Sequence, residues 1–394
     1  MDETFLFKPS ELTLTFEHPE GRRALSFGNA GLSYSEWRVR CLAKFKELLG
    51  LEDPTPGPVR ELRSTVHEGV RVRALLMSIG KTLTLPAYLL HPESNATPRR
   101  TVMALHGHGV KEMEGPLGLK EGYHKGFALK MAQAGFRVLS PFHRGFGILR
   151  DLARDHPEYS LEYEQSMHFP YVMDTLSRGY TVVGQNVEDL LRWEHWLAVE
   201  HGAKEFAAVG ASYGGDLALA YPAFSKRVER IFCSGSTGAY GLHFKRCFNG
   251  PAHCIPGFLK WMERSDIVGL NAPRPLVMHY GERDTPKKVE GPKMASAAYN
   301  ESVPGMMREA QAIYAAAGAK EQVQLVVTPN AGHVLDMEAV FKLLGKNTSP
   351  DDDSDESMQS LLTARATGEH MELEVSTEEA KRQSCCAGRD CVVS

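Results

Sequence analysis

The stretch that decides the fold is Phe206-Ala207-Ala208-Val209-Gly210-Ala211-Ser212-Tyr213-Gly214-Gly215-Asp216-Leu217-Ala218-Leu219-Ala220-Tyr221-Pro222. Its first four residues are a short apolar run of the kind a buried strand requires. The segment after Gly214 reads as a helix that Pro222 stops. Between them stands a G-x-S-x-G pentapeptide. A serine on so sharp a strand-to-helix turn has its hydroxyl pushed out at the end of the sheet, and Gly210, Gly214 and Gly215 let backbone and helix crowd together there. If that serine is a nucleophile, the chain should also supply an acid and a histidine downstream, in the order Ser, Asp, His.

Both are present. Leu276-Val277-Met278-His279-Tyr280 reads as a strand, and Asp284 follows it after the turn Gly281-Glu282-Arg283. Val323 to Val327 reads as a further strand, and His333 follows it in the loop Thr328-Pro329-Asn330-Ala331-Gly332. Ligands of open α/β sheets bind at the carboxyl ends of strands, so Ser212, Asp284 and His333 all fall where a site belongs. His333 would take the Ser212 proton, and Asp284 would orient the imidazole and stabilise its cation. The rivals of Asp284 are Glu282, very near its strand end, and Asp336, very near His333; Asp284 also has the plain reading of a turn residue. An oxyanion needs backbone N–H donors. Tyr213 N–H is the first candidate. The second is His108, or a neighbour, in the loop His106-Gly107-His108-Gly109 after the strand Val102–Leu105.

Around these residues strands and helices alternate: a helix from His124 to Ala134, a strand Phe136–Leu139, a helical face of Val187, Leu190, Leu191 and Leu197, a strand Val228–Cys233, and helices Val303–Ala317 and Val334–Leu344. Such alternation predicts a mostly parallel sheet covered by helices on both faces. Residues 64–90 add strands in which apolar residues alternate with arginine and threonine. The expected organisation is an N-terminal extension over 1–62, containing a helix Tyr34–Leu49, then a hydrolytic α/β domain over 63–346. An acidic tail over 347–394 lacks the apolar residues to build a core.

Composition sets the bounds. The chain has 394 residues, 42% hydrophobic and 24% charged, with a net charge of −4. That is ordinary globular material, and no basic stripe with interleaved aromatics marks it for nucleic acid. No apolar run is long enough for a bilayer span, and the acidic start lacks the layout of a signal peptide, so a cytoplasmic protein is expected. Seven cysteines, odd in number and unevenly spread, do not form a disulfide framework. His243, Cys247, His253 and Cys254 are metal-ligand types, but their spacing fits no standard zinc site, and no metal or cofactor is expected. Tyr240, Phe244, Phe248, Phe258 and Trp261 suit either an apolar substrate pocket or ordinary core. The last four residues, Cys391-Val392-Val393-Ser394, form a C-a-a-X prenylation pattern, and Cys385-Cys386 could supply the second lipid that stable membrane attachment needs. An ordinary polar tail explains them equally.

Residues from about 64 to 345 resemble the α/β-hydrolase superfamily, in its dienelactone-hydrolase and acetyl-xylan-esterase-like branch. The resemblance rests on Leu83-Thr84-Leu85-Pro86-Ala87-Tyr88-Leu89, His106-Gly107-His108-Gly109, and His143-Arg144-Gly145-Phe146-Gly147, similar to an R-G-x-G signature. Gly179-Tyr180-Thr181 with Asp189 opening the next helix, and Ala272-Pro273-Arg274-Pro275, complete it. It implies an esterase or deacetylase of small acyl groups acting on a small-molecule ester. Dienelactone hydrolases carry cysteine at the elbow, where this chain has Ser212. Acetyl esterases of the R-G-Q-G type carry His-Glu, where this chain has His333-Val334. The resemblance therefore implies a plain serine esterase, with peptidase or thioesterase chemistry on the same residues, or a non-catalytic binding protein, as the alternatives.

Overall fold

The computed structural model describes residues 23–52, 54–93, 100–108, 113–146, 168–243, 250–284 and 299–345. Gly109, Gly147, Phe244, Cys247, Phe248 and the tail cysteines Cys385, Cys386 and Cys391 lie outside them.

Nine strands form one sheet in the order β1-β2-β3-β5-β4-β6-β7-β8-β9. β1 (Val59–His67), β2 (Val70–Ile79) and β3 (Leu83–Pro92) are an antiparallel meander, and β3 pairs antiparallel with β5 (Arg137–Pro141). From there the sheet is parallel: β5 with β4 (Arg100–Leu105), then β6 (Glu205–Ala211), β7 (Val228–Ser234), β8 (Leu276–Gly281) and β9 (Val323–Thr328). The strand order reverses about β4: the chain runs outward to β5 and returns to place β6 on the other side. That switch point leaves a crevice at the carboxyl ends of β4 and β6.

Period-2 alternation sorts each central strand onto two cores. Met103, Leu105, Phe206 and Ala208 face one; Val102, Ala104, Ala207 and Val209 face the other. The first core takes Trp37, Cys41, Phe45 and Leu49 from the helix Tyr34–Leu49, Val187, Leu190, Trp193 and Leu197 from the helix Val182–Glu200, and Leu217 from the elbow helix. The second is covered by the helices Phe127–Gln133 and Met337–Leu344. The helix Tyr34–Leu49 begins with a Ser33/Glu36 capping box and ends at Gly50 in the left-handed region, so its limits are local chemistry.

Several sequence limits shift. The elbow helix runs Tyr213–Phe224 with Pro222 inside its last turn, where a proline forfeits one ladder bond and the helix ends two residues later. The helix expected from His124 starts at Phe127, because Gly126 takes a left-handed φ of 65°. The final helix starts at Met337, capped by Asp336, whose side chain accepts from Ala339 N–H at 3.0 Å. Asp189 does not open the helix before the elbow; it lies well inside Val182–Glu200, which Thr181 caps through Gly184 N–H at 2.9 Å.

Candidate active site

The turn after β6 is as tight as its glycines suggest. Ser212 has φ 56° and ψ −121°, a conformation that costs a non-glycine residue about 1–3 kcal/mol. A Cβ on Gly210 would lie 1.9 Å from Gly214 O, and one on Gly214 would lie 2.0 Å from Leu105 O. The elbow helix therefore rests directly on the backbone leaving β4. Both contacts are with main chain, which cannot swing aside, so Gly214→Ala should cost about 3 kcal/mol or more through forced overpacking. Urea denaturation would read this as a lowered midpoint at unchanged slope; a midpoint within error of the parent would contradict the close approach.

Asp284 and His333 come together. His333 Nδ1 lies 2.9 Å from each Asp284 carboxylate oxygen, and Asp284 is buried. Their loops are laced to one another: Arg283 N–H donates to Ala331 O at 2.7 Å and Glu282 N–H to Thr328 O at 3.0 Å. Gly281 is needed here, since a Cβ would come within 2.2 Å of Gly332 O. The two rival acids have other partners. Glu282 accepts from Asn330 N–H at 2.8 Å, and Asp336 caps the last helix while its other oxygen accepts from the Thr328 hydroxyl at 2.6 Å.

Ser212 and the histidine adjoin the same strand end. Ser212 N–H donates to Ser234 O at 2.8 Å, and the His333 ring lies over the next residue, Gly235, so closely that a Cβ there would be 2.6 Å from Cε1. Among the described residues, however, no hydrogen bond joins the Ser212 hydroxyl to the ring; such bonds are often loose before substrate arrives. Tyr213 is the first residue of the elbow helix, where a backbone N–H has no intrahelical partner. His108 lies across the crevice after β4, its ring 5.7 Å from that of Tyr213 and 4.6 Å from that of Phe146.

Three features were not legible in the sequence. First, Tyr123 and His124 reach into this crevice; Tyr123 packs its ring 4.8 Å from His333. Second, Arg144 forms a two-pronged ion pair with Asp189 at 2.7 Å, and its backbone N–H donates to Asn186 Oδ1 at 2.8 Å. It fastens the loop after β5 to the helix Val182–Glu200. Third, Asp216, one turn past Ser212, contacts His253 and is ion-paired to buried Arg264. Burial pushes the Asp216 carboxyl upward, but Arg264 and His253 outweigh it and hold it below the usual carboxylate range. Asp216, His243 and His253 bring their ligand-type atoms within 4.8 Å of one another. With a guanidinium already on the carboxylate, Asp216, His253 and Arg264 form an ion network that ties the elbow helix to the segment 250–271. Tyr240 and Phe258 are core residues there, lining a small cavity of about 30 Å³ with Phe45, Leu219 and Ile267.

The sheet order, the elbow and the loops after β8 and β9 define the α/β-hydrolase fold. No family model matches the chain. A curated relative, "Putative hydrolase YtaP" of Bacillus subtilis (strain 168), is 26% identical over 298 residues, covering 73% of this chain and 91% of that protein. Among solved structures, a "putative acetyl xylan esterase" from Bacteroides fragilis NCTC 9343 superposes with a TM-score of 0.60 at 15% identity, covering 84% of this chain and 88% of the other. A glucuronoyl esterase from Solibacter usitatus gives 0.54 at 13% identity, over 85% and 99%. At such identities the likeness establishes the fold. No helix among the described residues is long and apolar enough to cross a membrane.

Proposed function

We propose that this chain is a serine hydrolase that cleaves carboxylic esters of small molecules through an acyl-enzyme. Ser212 is the nucleophile, His333 the general base and Asp284 the acid that orients it. The observation that carries the reading is the Asp284–His333 contact held beside the strained Ser212 turn. In that arrangement Nδ1–H is committed to Asp284, so Nε2 is the nitrogen that can accept the Ser212 proton as Oγ attacks the ester carbonyl. The imidazolium returns this proton to the departing alcohol. Water then enters by the same route, leaving a carboxylic acid and free Ser212. The oxyanion is received by Tyr213 N–H and by a second backbone donor from the loop bearing His108. Metal and organic cofactors have no role in this cycle.

The test is covalent. A fluorophosphonate probe should label one site, on the peptide containing Ser212, and the same protein should turn over p-nitrophenyl acetate. Wild-type protein that is neither labelled nor active would leave the non-catalytic reading in place. Faster turnover of matched thioester or anilide substrates would move the assignment to thioesterase or peptidase.

A further inference from the structure

The loop after β4 is held by more side chains than a surface loop needs. Gly107 N–H, in the peptide plane between residues 106 and 107, donates to His124 Nε2 at 3.0 Å. In the next plane, Gly107 C=O lies 3.0 Å from His106 Nδ1. In the third, His108 C=O accepts from the Tyr123 hydroxyl at 2.7 Å. Three consecutive peptide planes are thus each fixed by a different side chain. Because a trans peptide points its N–H opposite to its C=O, fixing Gly107 C=O also fixes the direction of His108 N–H.

The tautomers agree. His106 Nε2 accepts His143 N–H at 3.3 Å, so its hydrogen is on Nδ1, the nitrogen facing Gly107 C=O. His124 must accept at Nε2, which requires a neutral ring. Burial supplies that, pushing His106 down to about 4 and His124 down to about 3. The clamp also touches the proposed catalytic residues. Tyr123 packs on His333, and a Cβ on Gly107 would lie 2.3 Å from the Tyr123 hydroxyl and 2.6 Å from Ser212 Cβ. Gly107 N–H, committed to His124, is removed as an oxyanion donor, which directs that role to His108 or the residue after it.

We propose that His106, Tyr123 and His124 are positioning residues that pre-set the oxyanion loop, one peptide plane each. The proposal rests on the serine-hydrolase reading of the site, and its test separates the two. Tyr123→Phe keeps the ring against His333 and removes only the hydroxyl; His124→Gln is the second variant. Both should speed hydrogen exchange in the peptide containing residues 103–108 about tenfold or more, with exchange elsewhere unchanged. With p-nitrophenyl acetate, kcat should fall about 10- to 100-fold while KM stays within about twofold, because an oxyanion contact is strongest in the transition state. Binding of a trifluoromethyl ketone, whose adduct places an oxyanion in the hole, should weaken by the same factor as kcat/KM. The pH–rate profile of Tyr123→Phe should keep its midpoint, since the hydroxyl acts on the loop and not on His333. Unchanged exchange, or faster exchange with intact kcat and inhibitor affinity, overturns the proposal. A wild-type protein inactive on esters overturns the serine-hydrolase reading instead, and the exchange experiment still decides whether the clamp exists.

Discussion

Ser212→Ala should lower kcat/KM for p-nitrophenyl acetate by about 10⁴- to 10⁶-fold while leaving the fold intact. The size follows from the chemistry. Without Oγ no acyl-enzyme forms, and what remains is whatever binding and the oxyanion donors do for direct attack by water. His333→Ala should fall in the same range, and the double variant should be scarcely worse than either single one, because nucleophile and base act as one unit. A companion result distinguishes this site from an ordinary buried serine. Ser212 sits at φ 56° and ψ −121°, where glycine is relaxed and a side chain is strained. Ser212→Gly should therefore be inactive yet more stable than the parent by about 1 kcal/mol, within the range of such strain. Full activity in Ser212→Ala would end the proposed mechanism. Loss of stability in Ser212→Gly would show that the turn is not held under strain.

The elbow and the positions of the acid and the base were readable in the sequence because each carried a local signature. The elbow is fixed by three glycines at set spacing, and the positions of Asp284 and His333 follow from where their strands end. What was not readable depended on contacts between distant segments. Tyr123 and His124 lie at the edge of the segment expected as a helix, and only the fold shows that they meet a loop some fifteen residues earlier. Asp216 looked like one polar residue in an apolar helix; its partner Arg264 is 48 residues away. The resemblance places Asp189 at the opening of a helix, yet Thr181 is the cap and Asp189 pairs with Arg144. A buried ion pair of this kind leaves no pattern in either partner's neighbourhood.

Several histidines outside the proposed triad make a second large prediction, this one about stability. His106, His124 and His279 are almost fully buried, and burial pushes them down to about 4, 3 and 4 from 6.5. His279 is held between the Ser234 and Thr328 hydroxyls, both at 2.9 Å. The sign is fixed by which state binds protons. Below pH 6.5 the unfolded chain protonates these rings and the folded one does not, so stability present above pH 6.5 is lost as the pH falls towards 4. One bound proton per group is worth about 1.4 kcal/mol per pH unit, which makes roughly 4 kcal/mol per unit for three. Asp266 opposes them. Burial raises its carboxyl to about 6, so between pH 6 and 4 the folded state takes up a proton first and recovers about 1.4 kcal/mol per unit. For these four groups the slope is roughly 3 kcal/mol per unit, and His91, His143 and His201, which burial also pushes down, steepen it, so a typical domain's stability of about 5–15 kcal/mol would be consumed within a few pH units. Urea midpoints should be flat above pH 7 and fall steeply from pH 6.5 to 4.5, with the protein unfolded near the lower end. His279→Gln keeps an amide within reach of both hydroxyls and should reduce the slope by about one proton. A midpoint that stays level from pH 7 to 4.5 would mean that these rings are protonated as easily in the folded protein as in water, and that the neutral His124 required to hold Gly107 N–H is not maintained by burial.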